Sequence, residues 1–99
     1  MKDRLGVGFV GAGFIANFHI RSWQGVREAD ITGIVDLNSE RAQTAADNCR
    51  AYGVGDPKVY TRISDIIADP DVDVLWICAP NYLRVKMMQE IVDTIESGK

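Results

Sequence analysis

Residues 5–16, Leu5-Gly6-Val7-Gly8-Phe9-Val10-Gly11-Ala12-Gly13-Phe14-Ile15-Ala16, decide the fold. Leu5 to Val10 is an apolar run with the character of a buried strand. Gly11 to Gly13 is a glycine turn, and a helix follows from Phe14. A strand, a glycine turn and a helix in that order bring backbone N–H groups and a helix N-terminus up to a dinucleotide pyrophosphate. Gly11 takes the tight turn, and Gly13 leaves room for phosphates to touch the backbone. Ala16 is small enough for the helix to lie close to the strand. Phe14 and Ile15 open the helix.

The next strand-like run, Ile31-Thr32-Gly33-Ile34-Val35, closes on Asp36. Asp36 lies 25 residues after Gly11, near the ~20 of a dinucleotide fingerprint. Its carboxylate is suited to accept hydrogen bonds from the adenine ribose hydroxyls and to repel a 2′-phosphate. Leu37 and Asn38 offer no cation, so NAD is favoured over NADP. Arg41, less than two helical turns on, weighs the other way, because it is placed to reach a 2′-phosphate.

The remaining segments alternate in the same manner. Phe14 to about Trp23 predicts a helix with Ile15, Phe18 and Ser22 on one face. Ser39 is the expected N-cap of a helix to Tyr52 with Ala42, Ala45, Ala46, Cys49 and Tyr52 on its inner stripe. Gly53 is its stop. Lys58-Val59-Tyr60 is a short strand, and Ser64 is expected to cap a short helix through Ala68. Val74-Leu75-Trp76-Ile77-Cys78 is continuously apolar, which predicts burial on both faces. Pro80-Asn81 opens a last helix, Tyr82 to about Ser97, with Val85, Met88, Val92 and Ile95 as its stripe. The expected architecture is α/β, a Rossmann-like doubly wound parallel sheet of about four strands with helices on both faces. Ligand is expected at the carboxyl ends of the strands.

Composition sets outer bounds. A chain of 99 residues holds one small domain. Its 46% hydrophobic and 25% charged content is that of a soluble globular protein. A net charge of −3, without a Lys/Arg run, gives no attraction for nucleic acid or an anionic membrane. No apolar stretch approaches the ~20 residues of a membrane span. Lys2 and Arg4 precede an apolar run as in a signal peptide, but glycines break that run and it ends in the turn. With two cysteines read as reduced core thiols, a cytoplasmic location is expected.

Three stretches carry a family resemblance: Val7–His19 (VGFVGAGFIANFH), Gly33–Ala42 (GIVDLNSERA) and Val72–Lys99 (VDVLWICAPNYLRVKMMQEIVDTIESGK). On these the chain resembles the N-terminal half of the glucose–fructose oxidoreductase / inositol dehydrogenase (Gfo/Idh/MocA) family. The resemblance implies a dinucleotide-binding domain over 1–99, incomplete and truncated before a fifth strand, with a substrate domain absent from this chain. It implies hydride transfer between NAD(P) and a sugar, cyclitol or related polyol or ketone. It also implies roles: Phe14 and Ile15 N–H groups on the pyrophosphate, Asp36 on the adenine ribose, and Ala79, Pro80 and Asn81 beneath the cofactor near the nicotinamide ribose. Tyr82 either borders the nicotinamide or simply packs.

Two departures accompany the resemblance. Arg84 stands where the family usually has His. The family's Glu-Lys-Pro motif, whose Lys takes part in catalysis, does not occur here, and Lys99 is not its equivalent. The 99-residue chain alone is therefore expected to be inactive, with no catalytic residue of its own. Its small-molecule substrate is expected to bind through the missing domain, and a homo-oligomer is expected. The alternatives are a non-catalytic NAD-binding or sensing module and, less favoured, a methyltransferase on a similar sheet. His19 inside the first helix, Cys78 at a strand end and the Asp71/Asp73 pair are read as structural. No spacing suits a metal site.

Overall fold

A computed structural model describes residues 4–78 and 81–97, with the side chains of Asn81 and Tyr82 excepted. Four strands, β1 (Leu5–Val10), β2 (Ala29–Val35), β3 (Lys58–Tyr60) and β4 (Val74–Ile77), form one parallel sheet in the order β3-β2-β1-β4. The helices are α1 (Phe14–Ser22), α2 (Ser39–Tyr52), α3 (Ile63–Ile67) and α4 (Asn81–Ser97), and a 3-10 turn, Trp23–Gly25, extends α1. The expected α/β doubly wound sheet is the one found.

Alternation along β1 builds two cores. Val7 and Phe9 face α1 and α2, where they meet Ala16, Ile20, Ala42, Ala45, Ala46 and Cys49. Val10 faces the other side, with Val35, Ile63, Ile66 and Ile91. Alanines on α2 present little side chain, so that helix lies close to the sheet. Phe9, fully buried, meets Trp23 edge-on at 5.5 Å and Trp76 at 6.5 Å, while the Trp23 indole N–H donates to the Ala29 carbonyl at 3.1 Å.

The opposite face is opened by glycines. Gly8 and Gly33 are register partners on β1 and β2. A Cβ at Gly8 would lie 2.9 Å from Ile66 Cδ1, and one at Gly33 3.2 Å from the same atom. The two glycines thus form the floor on which Ile66 seats α3. The register shifts by one residue between Val7/Ile31 and Gly8/Gly33, which leaves Thr32 as the extra residue. This shift keeps Ile34 on the side of Phe9 and Val35 on the side of Val10.

Side-chain orientation departs from expectation in several places. On α1 the buried residues are Ala16 and Ile20, followed by Trp23, while Ile15 and Phe18 are exposed. The N-cap of α2 is Asn38, not Ser39: its side chain accepts from the Glu40 and Arg41 N–H groups. Tyr52, the last residue of α2, is exposed, and the four inner residues before it are buried. Arg62 occupies the N-cap of α3 with no side-chain hydrogen bond, so Ser64 falls inside the helix.

The largest reversals concern β4 and α4. Val74 and Trp76 are each 41% exposed, because β4 is an outer strand among the described elements. On α4 the expected stripe of Val85, Met88, Val92 and Ile95 faces solvent, and Ile91 with Met87 packs inward. Both stripes have helical spacing, and the position of α3 selects the one that is buried.

Candidate functional site

The sheet order places a topological switch between β1 and β4. The chain returns from β3 at one edge to β4 on the far side of β1, so α1 and α4 leave the sheet on opposite faces, and because all four strands are parallel the loops after them open on one edge. Ligands of open α/β sheets sit at that edge.

At the end of β1, Gly11 has φ 102°, a conformation that favours glycine, and its N–H donates to the Val35 carbonyl at 2.8 Å. The turn reverses into α1 through Gly13, the N-cap, whose backbone is extended (φ −82°) and which has no side chain to cap the helix. The first-turn N–H groups of a helix lack intrahelical acceptors, and here no side-chain cap takes them. Nothing lies within 4 Å of the Cβ position of Gly13. The loop is therefore open where Gly13, Phe14 and Ile15 expose backbone donors, and it suits an anion of the size of a pyrophosphate.

Asp36 follows β2 beside this loop. Its side chain is only 8% exposed. Oδ2 accepts from the Ala12 N–H at 2.9 Å, and Oδ1 accepts from the Asn38 N–H and the Arg41 Nη2, each at 2.8 Å. Burial pushes the Asp36 carboxyl up, but the Arg41 hydrogen bond, the two backbone N–H groups and the Arg41 charge outweigh it. The net effect holds the group below the ordinary aspartate value. The carboxylate thus stays charged, and it ties the glycine turn to the start of α2.

Between the N-termini of α1 and α2 lies an open cleft of about 360 Å³, lined by Ala12, Gly13, Phe14, Asn17, Asn38, Glu40, Arg41 and Thr44. Its size falls in the lower part of the range for small-molecule pockets. Both helix dipoles point their positive ends at it. The cleft offers backbone donors of the Gly13–Phe14 turn on one side and the Arg41 guanidinium, paired with Asp36, on the other.

Of the residues singled out in the sequence, Gly11, Gly13, Phe14, Ile15 and Asp36 come together around this loop. Ala79 and Pro80 lie outside the described residues. Asn81 and Tyr82 open α4, and their side chains are likewise outside the description. Asn38 and Asn17 are parts of the site that pattern reading passed over. Asn38 bore a legible signal, being a strong capping residue at the start of α2.

His19, Cys49, Cys78 and Asp73 take part in packing and local hydrogen bonds. His19 lies edge-on between Phe18 at 6.3 Å and Trp76 at 5.8 Å. Burial pushes the Cys49 thiol up to about 12 and the Cys78 thiol up to about 11, so neither is a ready nucleophile. Asp73 accepts from the Gly6 N–H at 2.8 Å at the opposite end of the sheet. Among the described residues no group of His, Cys, Asp or Glu is placed to hold a metal ion, and no helix is long and apolar enough to cross a membrane.

Comparison with known proteins places this geometry. Residues 5–95 match the sequence model of Gfo/Idh/MocA, described as an oxidoreductase family with an NAD-binding Rossmann fold. An inositol 2-dehydrogenase of Corynebacterium glutamicum is 34% identical over 99 residues, which are 99% of this chain and 27% of that protein. The WlbA dehydrogenase of Bordetella pertussis, solved with NADH and UDP-GlcNAcA, superposes with a TM-score of 0.72 at 27% identity, over 92% of this chain and 27% of that one. A myo-inositol dehydrogenase of Lactobacillus casei, solved with NAD(H) and myo-inositol, gives a TM-score of 0.75 at 23% identity, over 91% and 26%. The chain spans about a quarter of the length of the curated relatives it matches.

Proposed function

Because the chain belongs to the Gfo/Idh/MocA oxidoreductase family through its NAD-binding Rossmann domain, we propose that it is the cofactor-binding part of an NAD-dependent enzyme acting on a sugar, cyclitol or related polyol. The observation that supports this reading is that the Ala12 N–H ties Asp36 to the Gly11–Gly13 turn, beside a cleft that Ala12, Gly13, Phe14 and Arg41 line. NAD supplies hydride transfer when bound, and the protein supplies binding and orientation. The Gly13, Phe14 and Ile15 N–H groups take the pyrophosphate, and Asp36 takes the adenine ribose. Ala79, Pro80, Asn81 and Tyr82 are assigned to the nicotinamide end on the family resemblance alone.

The carboxylate of Asp36 supports a preference for NAD. Its oxygens accept three hydrogen bonds from the chain, so a ribose hydroxyl meets an acceptor already held in place. Arg41, on the same carboxylate, moderates its repulsion of a 2′-phosphate and makes NADP a weaker but real alternative. The family's catalytic Glu-Lys-Pro motif is absent from these 99 residues, and we infer that they do not turn over polyols alone. Substrate contacts come from a further domain, and the working assembly is a cytoplasmic homo-oligomer.

A calorimetric titration with NADH and then NADPH, on the chain and on Asp36→Ala, tests the reading. Saturable NADH binding that Asp36→Ala weakens is the expected result. Absence of NADH binding by a folded chain overturns it.

A further inference from the structure

We propose that Asn17 and Asn48 are positioning residues that set the direction of the Gly13 and Phe14 N–H groups for phosphate binding, an inference that rests on the dinucleotide reading above. The Asn17 Nδ2 donates to the Ala12 carbonyl at 3.2 Å and to the Gly13 carbonyl at 2.9 Å. Asn48, 31 residues away on α2, donates its Nδ2 to the Asn17 Oδ1 at 2.9 Å.

The amide orientations follow from donor and acceptor chemistry. A carbonyl only accepts, so Asn17 must turn its NH₂ group to the loop. Its oxygen then faces α2, and Asn48 must present its own NH₂ group there.

The consequence for the loop follows from peptide geometry. The Ala12 carbonyl and the Gly13 N–H belong to one planar peptide unit, and the Gly13 carbonyl and the Phe14 N–H belong to the next. The described peptide bonds are all trans. In a trans unit the C=O and N–H point in opposite directions. Carbonyls drawn to Asn17 therefore direct the Gly13 and Phe14 N–H groups away from it, towards the open side of the turn. Gly13 needs such a tether: no neighbour restrains it within 4 Å of its Cβ position, and no side chain caps α1. Asn17 alone is a half-buried side chain on the first turn of a helix. Asn48 locks its amide from the second helix that borders the cleft.

The test uses Asn48→Leu and Asn17→Ala, with Asn48→Gln as the conservative variant that keeps a donor. The readouts are the ¹⁵N amide signals of Gly13 and Phe14 in the cofactor-free chain, and affinities for NADH and for adenosine, which lacks the pyrophosphate. Asn48→Leu is expected to move both amide signals and to weaken NADH about five- to tenfold, the order of one lost hydrogen bond. Adenosine affinity stays unchanged, and Asn48→Gln recovers part of the loss.

Unmoved Gly13 and Phe14 signals with undiminished NADH affinity overturn the proposal. So does an equal loss for NADH and adenosine, which marks a merely structural pair. Where Asn48→Leu fails to fold, the isosteric Asn48→Asp removes the same donor and carries the same readouts. A wild-type chain that ignores NADH sinks the dinucleotide reading and, with it, the binding role of the pair. Unmoved amide signals in chains that still bind NADH sink the positioning role alone.

Discussion

The Ala12 N–H donates to the Asp36 carboxylate at 2.9 Å across the ends of two neighbouring strands. This bond joins the Gly11–Gly13 turn to Asp36, so the two parts of the candidate site are directly linked. Whatever discharges Asp36 loosens the turn.

Acid is therefore expected to destabilise the chain through Asp36. Its folded pKa is held below that of an unfolded aspartate, about 4. The stabilisation is full above that value and is lost as pH falls through the folded pKa. Asp36→Asn is expected to lower stability by about 1–2 kcal/mol at neutral pH and to flatten the acid limb of a plot of Tm against pH. A variant with an unchanged acid limb contradicts the role.

Arg41 is expected to govern the choice between NADH and NADPH. Its guanidinium, 57% exposed at the cleft rim, holds Asp36 while retaining free donor capacity. Arg41→Ala should leave NADH affinity within about threefold and weaken NADPH by about tenfold or more, the order of one charge-assisted contact. Parallel titrations measure the ratio, and equal losses for both cofactors refute the assignment.

The two glycines of the turn should separate stability from binding. Gly11, at φ 102°, cannot take a side chain without strain, so Gly11→Ala should cost about 1–3 kcal/mol of stability. Gly13 has extended backbone and open space around it. Gly13→Ala should leave the thermal midpoint nearly unchanged and still abolish tight NADH binding, because its methyl group would fill the space proposed for the phosphates. Midpoints and NADH affinities of the two variants decide the point.

The outward stripe of α4, with the outer face of β4, is expected to drive self-association. Val85 is 81% exposed, and Met88, Val92 and Ile95 continue the same line, an apolar patch of a kind that soluble monomers seldom leave open. Sedimentation velocity should show association at high concentration that Val92→Glu with Ile95→Glu suppresses without unfolding the chain. A monodisperse wild-type monomer under those conditions contradicts the expectation.

Most of the architecture was legible along the chain. β1, β3 and the span of α2 lie where periodicity and glycine placement put them, and Gly53 closes α2 in the left-handed conformation expected of its stop. The faces were less legible. α1 turned Ala16 and Ile20 inward in place of Ile15 and Phe18, and α4 buried Ile91 in place of Val92. In each helix two stripes of nearly equal apolar character compete, and periodicity does not rank them.

The sequence by itself determined the strand–turn–helix order, the glycine at the turn and the acid at the end of β2. These depend on backbone sterics and on neighbours a few residues apart. Only the tertiary structure decided that Asp36 is held by Ala12 and Arg41, that Asn48 reaches Asn17, and which helix faces meet the sheet. Such contacts join residues distant in the chain, and their energies exist only once the strands have brought the loops together.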